Sequence, residues 1–244
     1  ILSCKKNRGL IMKKINLFTL FLIAFITINA QQQSSVTLRL NSLIPNGEFK
    51  DDDYEDFLFD GAGGAATGLG LGLEFAKEVQ IENLSILGSI DFLVNGLSNE
   101  TTNNIEDDLD PEDQVKYVKY LNIPVLLGAK YVIQTNDIGI YGRFGVGLDY
   151  MKITDFVIEY DFDGATNTWS FDNSLKLAFE VGAGVLVKDK ITLGFDYLGL
   201  GTHPIDGKDT YEANSYSNEE DISDYYETRD LSISGIKLHV GLVF

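Results

Sequence analysis

His203 is the residue with the widest chemical options, because it lies at the start of a long polar stretch that also holds Ser215 and Ser217. A histidine can take the proton of a nearby serine hydroxyl, which activates the nucleophile of many hydrolases. The three residues support one hypothesis, a lipid hydrolase site at the rim of the domain. Loop serines are common, and the sequence has no nucleophile elbow, phosphate-binding glycine loop or paired-histidine metal motif. We therefore expect a protein that is not an enzyme and binds no cofactor.

Carboxylates are concentrated in two segments that we expect to be loops: Glu48, Asp51, Asp52, Asp53, Glu55, Asp56 and Asp60 in the first, and Glu100, Glu106, Asp107, Asp108, Asp110, Glu112 and Asp113 in the second. Clustered carboxylates could bind divalent cations that bridge to lipopolysaccharide phosphates or to a partner. The segment 161–164 begins like a calcium loop, but Ala165 stands at the next ligand position. We favour the simpler interpretation, that acidic loops keep a surface solvated and repel like charges.

Composition limits the classes of partner. The formal net charge of −18 argues against nucleic acid, whose phosphates would be repelled. Cys4 is the only cysteine, so no intramolecular disulfide can form. Twelve tyrosines and fifteen phenylalanines beside a single tryptophan suit β-strands.

The first thirty residues predict export. A basic start at Lys13 and Lys14 precedes an apolar run over 15–28 and small residues before Gln31, which is typical of a signal peptide. The run is too short for a comfortable membrane-spanning helix. We expect an upstream, non-native extension (1–11), a signal peptide (12–30) and one exported domain (31–244). That domain has 14 basic and 37 acidic residues, a net charge of −23.

The exported part shows eight stretches in which apolar residues alternate with small or charged ones: 36–41, 67–75, 84–95, 115–131, 138–150, 175–187, 191–197 and 231–244. Alternation of period two places the apolar residues on one face of a strand. No 3.6-residue periodicity is evident in the exported part. The connections alternate between long and short. This pattern predicts an all-β fold, an eight-stranded antiparallel up-and-down transmembrane β-barrel, with short turns and both termini at the periplasmic side.

The second face of the strands indicates the polarity of this barrel. It is mostly glycine and serine with ten scattered charges, five acidic and five basic: Glu74, Asp91, Asp149, Glu180 and Asp196 against Arg39, Lys130, Arg143, Lys176 and Lys237. Such a balance in an acidic chain favours paired charges inside a narrow lumen, where an unpaired charge is costly. A soluble lipocalin-like barrel would have the opposite polarity, apolar inside and polar outside.

Three stretches resemble the PorT-like outer membrane β-barrel family: Tyr120–Gly128 (Tyr-Leu-Asn-Ile-Pro-Val-Leu-Leu-Gly), the glycine-rich Ile138–Tyr150, and Phe179–Gly184. The resemblance implies a barrel in the cell outer membrane, and a role linked to a secretion system for at least one family member. It implies no catalytic residue. Pro124 cannot donate to a strand ladder, so we expect it at a bulge or at an unpaired position.

The last strand also resembles the insertion signal that the barrel-assembly machinery reads on outer-membrane proteins; the residues concerned are Leu238, Val240, Leu242 and Phe244. The expected partners are therefore this machinery, the lipid bilayer and lipopolysaccharide, with divalent cations at the acidic loops as a further hypothesis.

Eight strands leave an interior that side chains fill. We favour a structural or binding role in the envelope or in a secretion-linked assembly, carried out through long acidic extracellular loops. Three alternatives stay open: a narrow channel for ions or small solutes, the rim-site lipid hydrolase, and a soluble lipocalin-like lipid carrier.

Overall fold

The computed structural model describes residues 34–52, 62–213, 216–222 and 230–244. The predicted extension and signal peptide lie outside the described residues, as does part of the first acidic segment. Within the described ranges, no helix is long and apolar enough to cross a membrane.

In chain order the described elements are β1 (Ser34–Asn46), a 3₁₀ turn (Gly47–Phe49), β2 (Gly68–Glu78), β3 (Leu84–Asn95), α1 (Asn99–Asp107), β4 (Gln114–Lys116), β5 (Tyr120–Thr135), β6 (Ile138–Ile153), β7 (Phe156–Glu159), β8 (Thr166–Phe171), β9 (Ser174–Val187), β10 (Ile191–Pro204), β11 (Gly207–Ala213), β12 (Tyr216–Asp221) and β13 (Asp230–Val243). Eight of these strands close into a barrel in the order β1-β13-β10-β9-β6-β5-β3-β2. All neighbours in the barrel are antiparallel. The predicted eight-stranded antiparallel barrel is confirmed.

Short turns join the barrel strands in pairs at one end, as the sequence pattern predicts. The turn after β5 consists of Asn136 and Asp137, and Asn136 adopts φ 53°, a left-handed conformation that asparagine tolerates better than most residues. The first and last barrel strands meet at this same end, where Val36 N donates to Phe244 O at 3.0 Å. The opposite end, from which the long connections leave, is called the long-loop end below.

The polarity of the wall agrees with the prediction. Phe144, Val181 and Leu238 point outward and are 51%, 49% and 45% exposed, whereas Arg143 and Lys237 point inward and are buried. The outward apolar side chains form a band around the barrel that suits lipid. This arrangement excludes the soluble lipocalin-like carrier, which requires the apolar face inside.

Pro124 lies where the ladder is interrupted, as expected. The β3–β5 pairing runs to Ile90 opposite Val125 and resumes at Leu93 opposite Asn122, so the position of Pro124 carries no pairing with β3. Proline has no N–H to donate, so a position that is unpaired toward β3 suits it.

The long connections are more ordered than the sequence pattern indicates. Three of them supply a second, five-stranded antiparallel sheet in the order β12-β11-β8-β7-β4, called the cap sheet below. Its strands are three to seven residues long, too short for a clear alternation to stand out. The predicted fourth strand, 115–131, is therefore wrong in its first part, because β4 belongs to the cap sheet and β5 to the barrel.

The expectation of no helix is also wrong. Helix α1 occupies the second acidic segment, with Ser98 Oγ accepting a hydrogen bond from Thr101 N at 3.0 Å as an N-cap. Ile105 is the buried apolar side chain of this nine-residue helix. A single apolar position gives no periodic signal, which explains why sequence reasoning missed it.

The barrel interior has two tiers. The tier nearer the short turns holds the charged side chains described below. At the long-loop end lies an apolar cluster, called the apolar plug, that continues into the cap: Leu43, Phe49, Leu93, Ile105, Val118, Tyr120, Leu126, Met151, Ile153, Leu198, Leu200, Ile205, Leu231 and Ile233. Phe49 packs edge-on against Tyr120, with ring centroids 5.1 Å apart. Burial of these side chains couples the cap to the barrel.

Candidate functional site

Eight of the ten predicted lumen charges meet inside the barrel, and each barrel strand contributes one of them. In chain order they are Arg39 (β1), Glu74 (β2), Asp91 (β3), Lys130 (β5), Arg143 (β6), Glu180 (β9), Asp196 (β10) and Lys237 (β13). Four are acidic and four basic, so the formal charges cancel. All eight are buried.

Six of these side chains form a closed cycle of alternating charge, called the charge ring: Glu74, Arg39, Asp91, Lys237, Glu180 and Arg143. Arg39 donates to Glu74 at 3.0 Å and to Asp91 at 2.8 Å. Lys237 Nζ donates to Asp91 at 2.9 Å and to Glu180 at 2.7 Å. Arg143 donates to Glu180 and, at 2.7 Å, to Glu74, which closes the cycle.

The other two charges attach to this ring. Lys130 Nζ donates to Glu74 Oε1 at 3.0 Å and lies 4.5 Å from the centre of the Tyr141 ring. Asp196 lies 3.4 Å from Lys237 Nζ and 3.1 Å from His239 Nδ1. His239 Nε2 shares a 2.9 Å hydrogen bond with the Tyr141 hydroxyl, so the structure places this histidine in the lumen, as its strand register predicts.

Glycines create the space that these long side chains occupy. A Cβ at Gly72 would lie 1.9 Å from Asp91 Oδ1, and one at Gly182 would lie 2.0 Å from Asp196 Oδ1. A carbon and an oxygen atom that are not bonded to each other cannot approach so closely. The glycine-rich face noted in the sequence is therefore the complement of the charge ring.

Asp149 and Lys176 do not join the ring. They lie opposite each other on β6 and β9, nearer the long-loop end. Asp149 is six residues beyond Arg143 along β6, and Lys176 is four residues before Glu180 along β9. At ~3.3 Å per residue they are ~20 Å and ~13 Å from those neighbours. Lys176 is half-buried and forms no ion pair within 4.0 Å with any described side chain, while Asp149 is fully buried beside His203.

His203 lies within β10, not in the loop where sequence reasoning placed it. The β10–β13 register shifts between Gly199 and Gly201, and Gly201 adopts φ +95°. This bulge reverses which residues of β10 face inward, so the imidazole is fully buried. Of the two serines predicted as partners, Ser217 lies exposed in β12 of the cap sheet and Ser215 is outside the described residues.

The structure gives His203 three different neighbours. Its Nδ1 is 2.6 Å from Ser174 Oγ. Its Nε2 is 2.9 Å from the Leu200 carbonyl oxygen and 3.4 Å from Asp149 Oδ2. Residues so far apart in sequence gave no local motif, and sequence reasoning missed Ser174 altogether.

Backbone pairing in the wall beside this histidine is incomplete. Pairing between β9 and β10 ends at Phe179 opposite Gly199. Beyond that point a groove of about 410 Å³ lies between the strands; it is called the side groove and is lined by Leu148, Leu175, Lys176, Leu177, Gly201 and Thr202. The leucines belong to the outward apolar band, so the groove opens toward lipid.

The cap sheet is acidic and its carboxylates influence each other. Asp209 lies opposite Glu220 on β12, and burial, together with this neighbouring carboxylate, raises the pKa of Asp209. Tyr117 donates to Glu106 at 2.7 Å, and burial and this bond raise the pKa of the phenol.

The described part of the chain contains no group of three or more His, Cys, Asp or Glu side chains placed to bind a metal ion. The segment that begins like a calcium loop is the β7–β8 turn, in which Asp163 Oδ1 accepts from Ala165 N at 2.9 Å. This carboxylate therefore stabilises the conformation of the turn.

The barrel, its outward apolar band and its charged interior define an integral outer-membrane β-barrel protein. Residues 18–244 match the family model described as outer membrane protein beta-barrel domain, and the chain belongs to this family. The comparison with curated proteins found no match.

The chain is also similar to several solved structures. A major outer membrane protein from Thermus thermophilus has a TM-score of 0.53 at 12% identity, covering 86% of this chain and 99% of that chain. Neisserial surface protein A gives 0.42 at 13% identity, covering 86% and 95%. Ail from Yersinia pestis, solved with the heparin analogue sucrose octasulfate, gives 0.43 at 12%, covering 87% and 99%. At such low sequence identities, only the similarity to the Thermus thermophilus protein supports the fold. It supports no conclusion about function.

Proposed function

We propose that this chain is a non-conducting outer-membrane protein whose filled barrel anchors an acidic cap outside the cell, with a structural or binding role in the envelope. The charge ring carries this proposal. Its six side chains come from six strands around the lumen and bond to one another across it. A hydrated ion would have to break these bonds to pass, and each broken pair leaves an uncompensated buried charge.

The apolar plug supports the same proposal. It fills the long-loop end of the barrel with side chains such as Leu93, Leu126 and Leu198, each fully buried or nearly so. An ion that crossed the ring would next meet an apolar interior, where a charge is poorly solvated. Two successive barriers of different chemistry disfavour the alternative of a narrow channel.

The cap is the surface through which the protein would act. By the usual topology of these barrels, long loops face outward and short turns face the periplasm. The cap sheet and α1 expose many carboxylates, including Asp107, Glu212 and Glu219. Such a surface favours basic partners and keeps like-charged neighbours apart. We infer a partner with a basic face, and the resemblance of Tyr120–Gly128 to PorT-like barrels supports a secretion-linked assembly as its setting.

Insertion and lipid contacts follow from the same arrangement. Leu238, Val240, Leu242 and Phe244 all project outward from the end of the chain, which supports their use as the signal for the barrel-assembly machinery. Lipopolysaccharide would surround the long-loop end, and divalent cations could bridge its phosphates to exposed cap carboxylates without a dedicated protein site.

Conductance measurement tests the proposal. Folded protein, verified by a heat-dependent shift in gel mobility, is inserted into a planar bilayer, with a known porin as the positive control. We expect a baseline without discrete steps. Stable single-channel steps from the folded protein would show that the ring and the plug do not seal the lumen.

A further inference from the structure

Ser174, His203 and Asp149 form a contiguous series, in which Ser174 and His203 share a hydrogen bond and Asp149 Oδ2 lies 3.4 Å from the imidazole. The position of the imidazole proton can be deduced. The Nε2 atom of His203 faces two acceptors, the Leu200 carbonyl oxygen at 2.9 Å and Asp149 Oδ2 at 3.4 Å. Nε2 must therefore carry the hydrogen, and in a neutral imidazole Nδ1 is then an acceptor. The Ser174 hydroxyl, 2.6 Å from Nδ1, donates to it. This is the arrangement in which a histidine acts as general base for a serine nucleophile.

The burial of the three side chains differs in a way that suits this chemistry. Asp149 and His203 are fully buried, whereas Ser174 is half-buried at the start of β9. Among the described side chains, His203 is the ionisable partner of Asp149 within 4.0 Å. A carboxylate on the far side of the ring stabilises the imidazolium that forms when Nδ1 takes the serine proton.

The side groove lies at the level of this series, on the lipid-facing side of the same strands. Its lining includes the residues next to Ser174 and His203 in sequence, Leu175 and Thr202, and the neighbour of Asp149, Leu148. Its volume of about 410 Å³ lies within the ~300–1,000 Å³ typical of small-molecule sites. Leu177 is 79% exposed on the lipid-facing wall, so an acyl chain could enter from the bilayer without crossing water. The ester carbonyl of that chain would reach Ser174 Oγ between β9 and β10, beyond the point where their pairing ends.

One further side chain points to a ligand here. Asn122 is fully buried, and neither its Oδ1 nor its Nδ2 has a hydrogen-bond partner among the described residues. It shares a cross-strand row with Ser174, because both pair with Met151. At ~4.8 Å per strand, the two backbones are ~10 Å apart, and both side chains face the interior. A buried amide without partners is unfavourable, and a bound carbonyl oxygen would relieve it.

We propose that Ser174, His203 and Asp149 are the catalytic residues of an esterase site that hydrolyses acyl esters of membrane lipids, with the acyl chain in the side groove. Lys176, half-buried in the groove lining, would face the polar end of such a lipid. This activity is independent of whether the lumen conducts.

The reaction proceeds in two balanced halves. Ser174 Oγ attacks the ester carbonyl carbon while its proton passes to His203 Nδ1, and Asn122 Nδ2 donates to the developing oxyanion. The carbon–oxygen bond to the alcohol then breaks, and the alcohol takes the proton from Nδ1. A water molecule attacks the acyl-serine, giving one proton to Nδ1 and then to Ser174 Oγ. The products are a fatty acid and the deacylated lipid.

Covalent labelling tests the proposal on the folded full-length protein in detergent micelles. A fluorophosphonate probe should label the wild type at Ser174, located by mass spectrometry of the peptide, and p-nitrophenyl palmitate should be hydrolysed. Ser174→Ala and His203→Gln should each lower hydrolysis at least ~100-fold. Ser217→Ala, an exposed serine of the cap, is the matched control and should change neither result.

A second variant separates the groove from the catalytic series. Leu148→Trp should fill the groove and reduce hydrolysis of the palmitate ester more than that of the butyrate ester, because only the long chain needs the groove. Gel mobility shows that each variant is folded. If the folded wild type is not labelled at Ser174, or if Ser174→Ala hydrolyses the esters at the wild-type rate, the site is not an esterase.

Discussion

Lys237 on β13 bonds to Asp91 on β3 at 2.9 Å, although 146 residues and two intervening barrel strands separate them. The two strands are not hydrogen-bonded neighbours in the barrel. The contact exists only because the barrel is closed, so that inward side chains from opposite parts of the wall meet on its axis. The stability of the closed barrel and the integrity of the charge ring should therefore change together.

Lys237→Met should destabilise the folded barrel by ~3–5 kcal/mol, because it leaves Asp91 and Glu180 without their shared cation. The measurement is urea unfolding in lipid vesicles, followed by heat-dependent gel mobility. Lys188→Met, in the exposed turn between β9 and β10, removes the same charge and should cost almost nothing. Equal midpoints for the two variants would show that the ring does not stabilise the barrel.

The eight lumen charges should differ in their importance for stability. Glu74 contacts three cations, Arg39, Lys130 and Arg143, whereas Lys130 contacts Glu74 alone among these acids. Glu74→Gln should therefore lower the free energy of unfolding more than Lys130→Met, and the double variant should lower it by less than the sum of the two. Additive losses in the same urea titration would indicate that the side chains act separately.

Gly182→Ala should destabilise the barrel by ~1–3 kcal/mol, because its Cβ would lie 2.0 Å from Asp196 Oδ1 and 2.5 Å from the Phe195 carbonyl oxygen. Gly142→Ala is the matched control, since its Cβ would meet nothing within 4 Å. Both changes add the same methyl group to a barrel strand. A similar midpoint of unfolding for both would mean that the lumen is less tightly filled than the structure shows.

The cap should lose stability as the pH rises. The pKa of Asp209 is raised in the folded cap, so the folded state binds more protons than the unfolded state between the two pKa values. Stability is then greatest below the unfolded pKa and falls as the pH rises through the folded one. Asp209→Asn should remove this loss and slow amide hydrogen exchange in β8 and β11 at neutral pH.

The control for this experiment is Glu212→Gln, which removes one exposed carboxylate from the same strand. It should leave the slope of cap stability against pH unchanged. If the Asp209→Asn variant exchanged its amide hydrogens at neutral pH at the wild-type rate, burial of this carboxylate would not destabilise the cap.

The alternation of apolar residues with small or charged ones was enough to predict much of the barrel wall. Because successive side chains of a strand face opposite sides, the register of Phe144 and Arg143, or of Leu238 and Lys237, already separates lipid face from lumen face. The count of eight strands follows from the same local rule. The sequence also predicted which charges lie inside, although it could not determine which of them touch.

The tertiary structure decided which lumen charges form ion pairs with each other. The partners of Glu74 come from three different strands that only barrel closure brings together. It also decided the face of His203, because the bulge at Gly199–Gly201 reverses the alternation that a sequence pattern assumes. The cap sheet depended most on distant contacts. Its short strands come from three separate connections, and each is stable only when the others lie beside it.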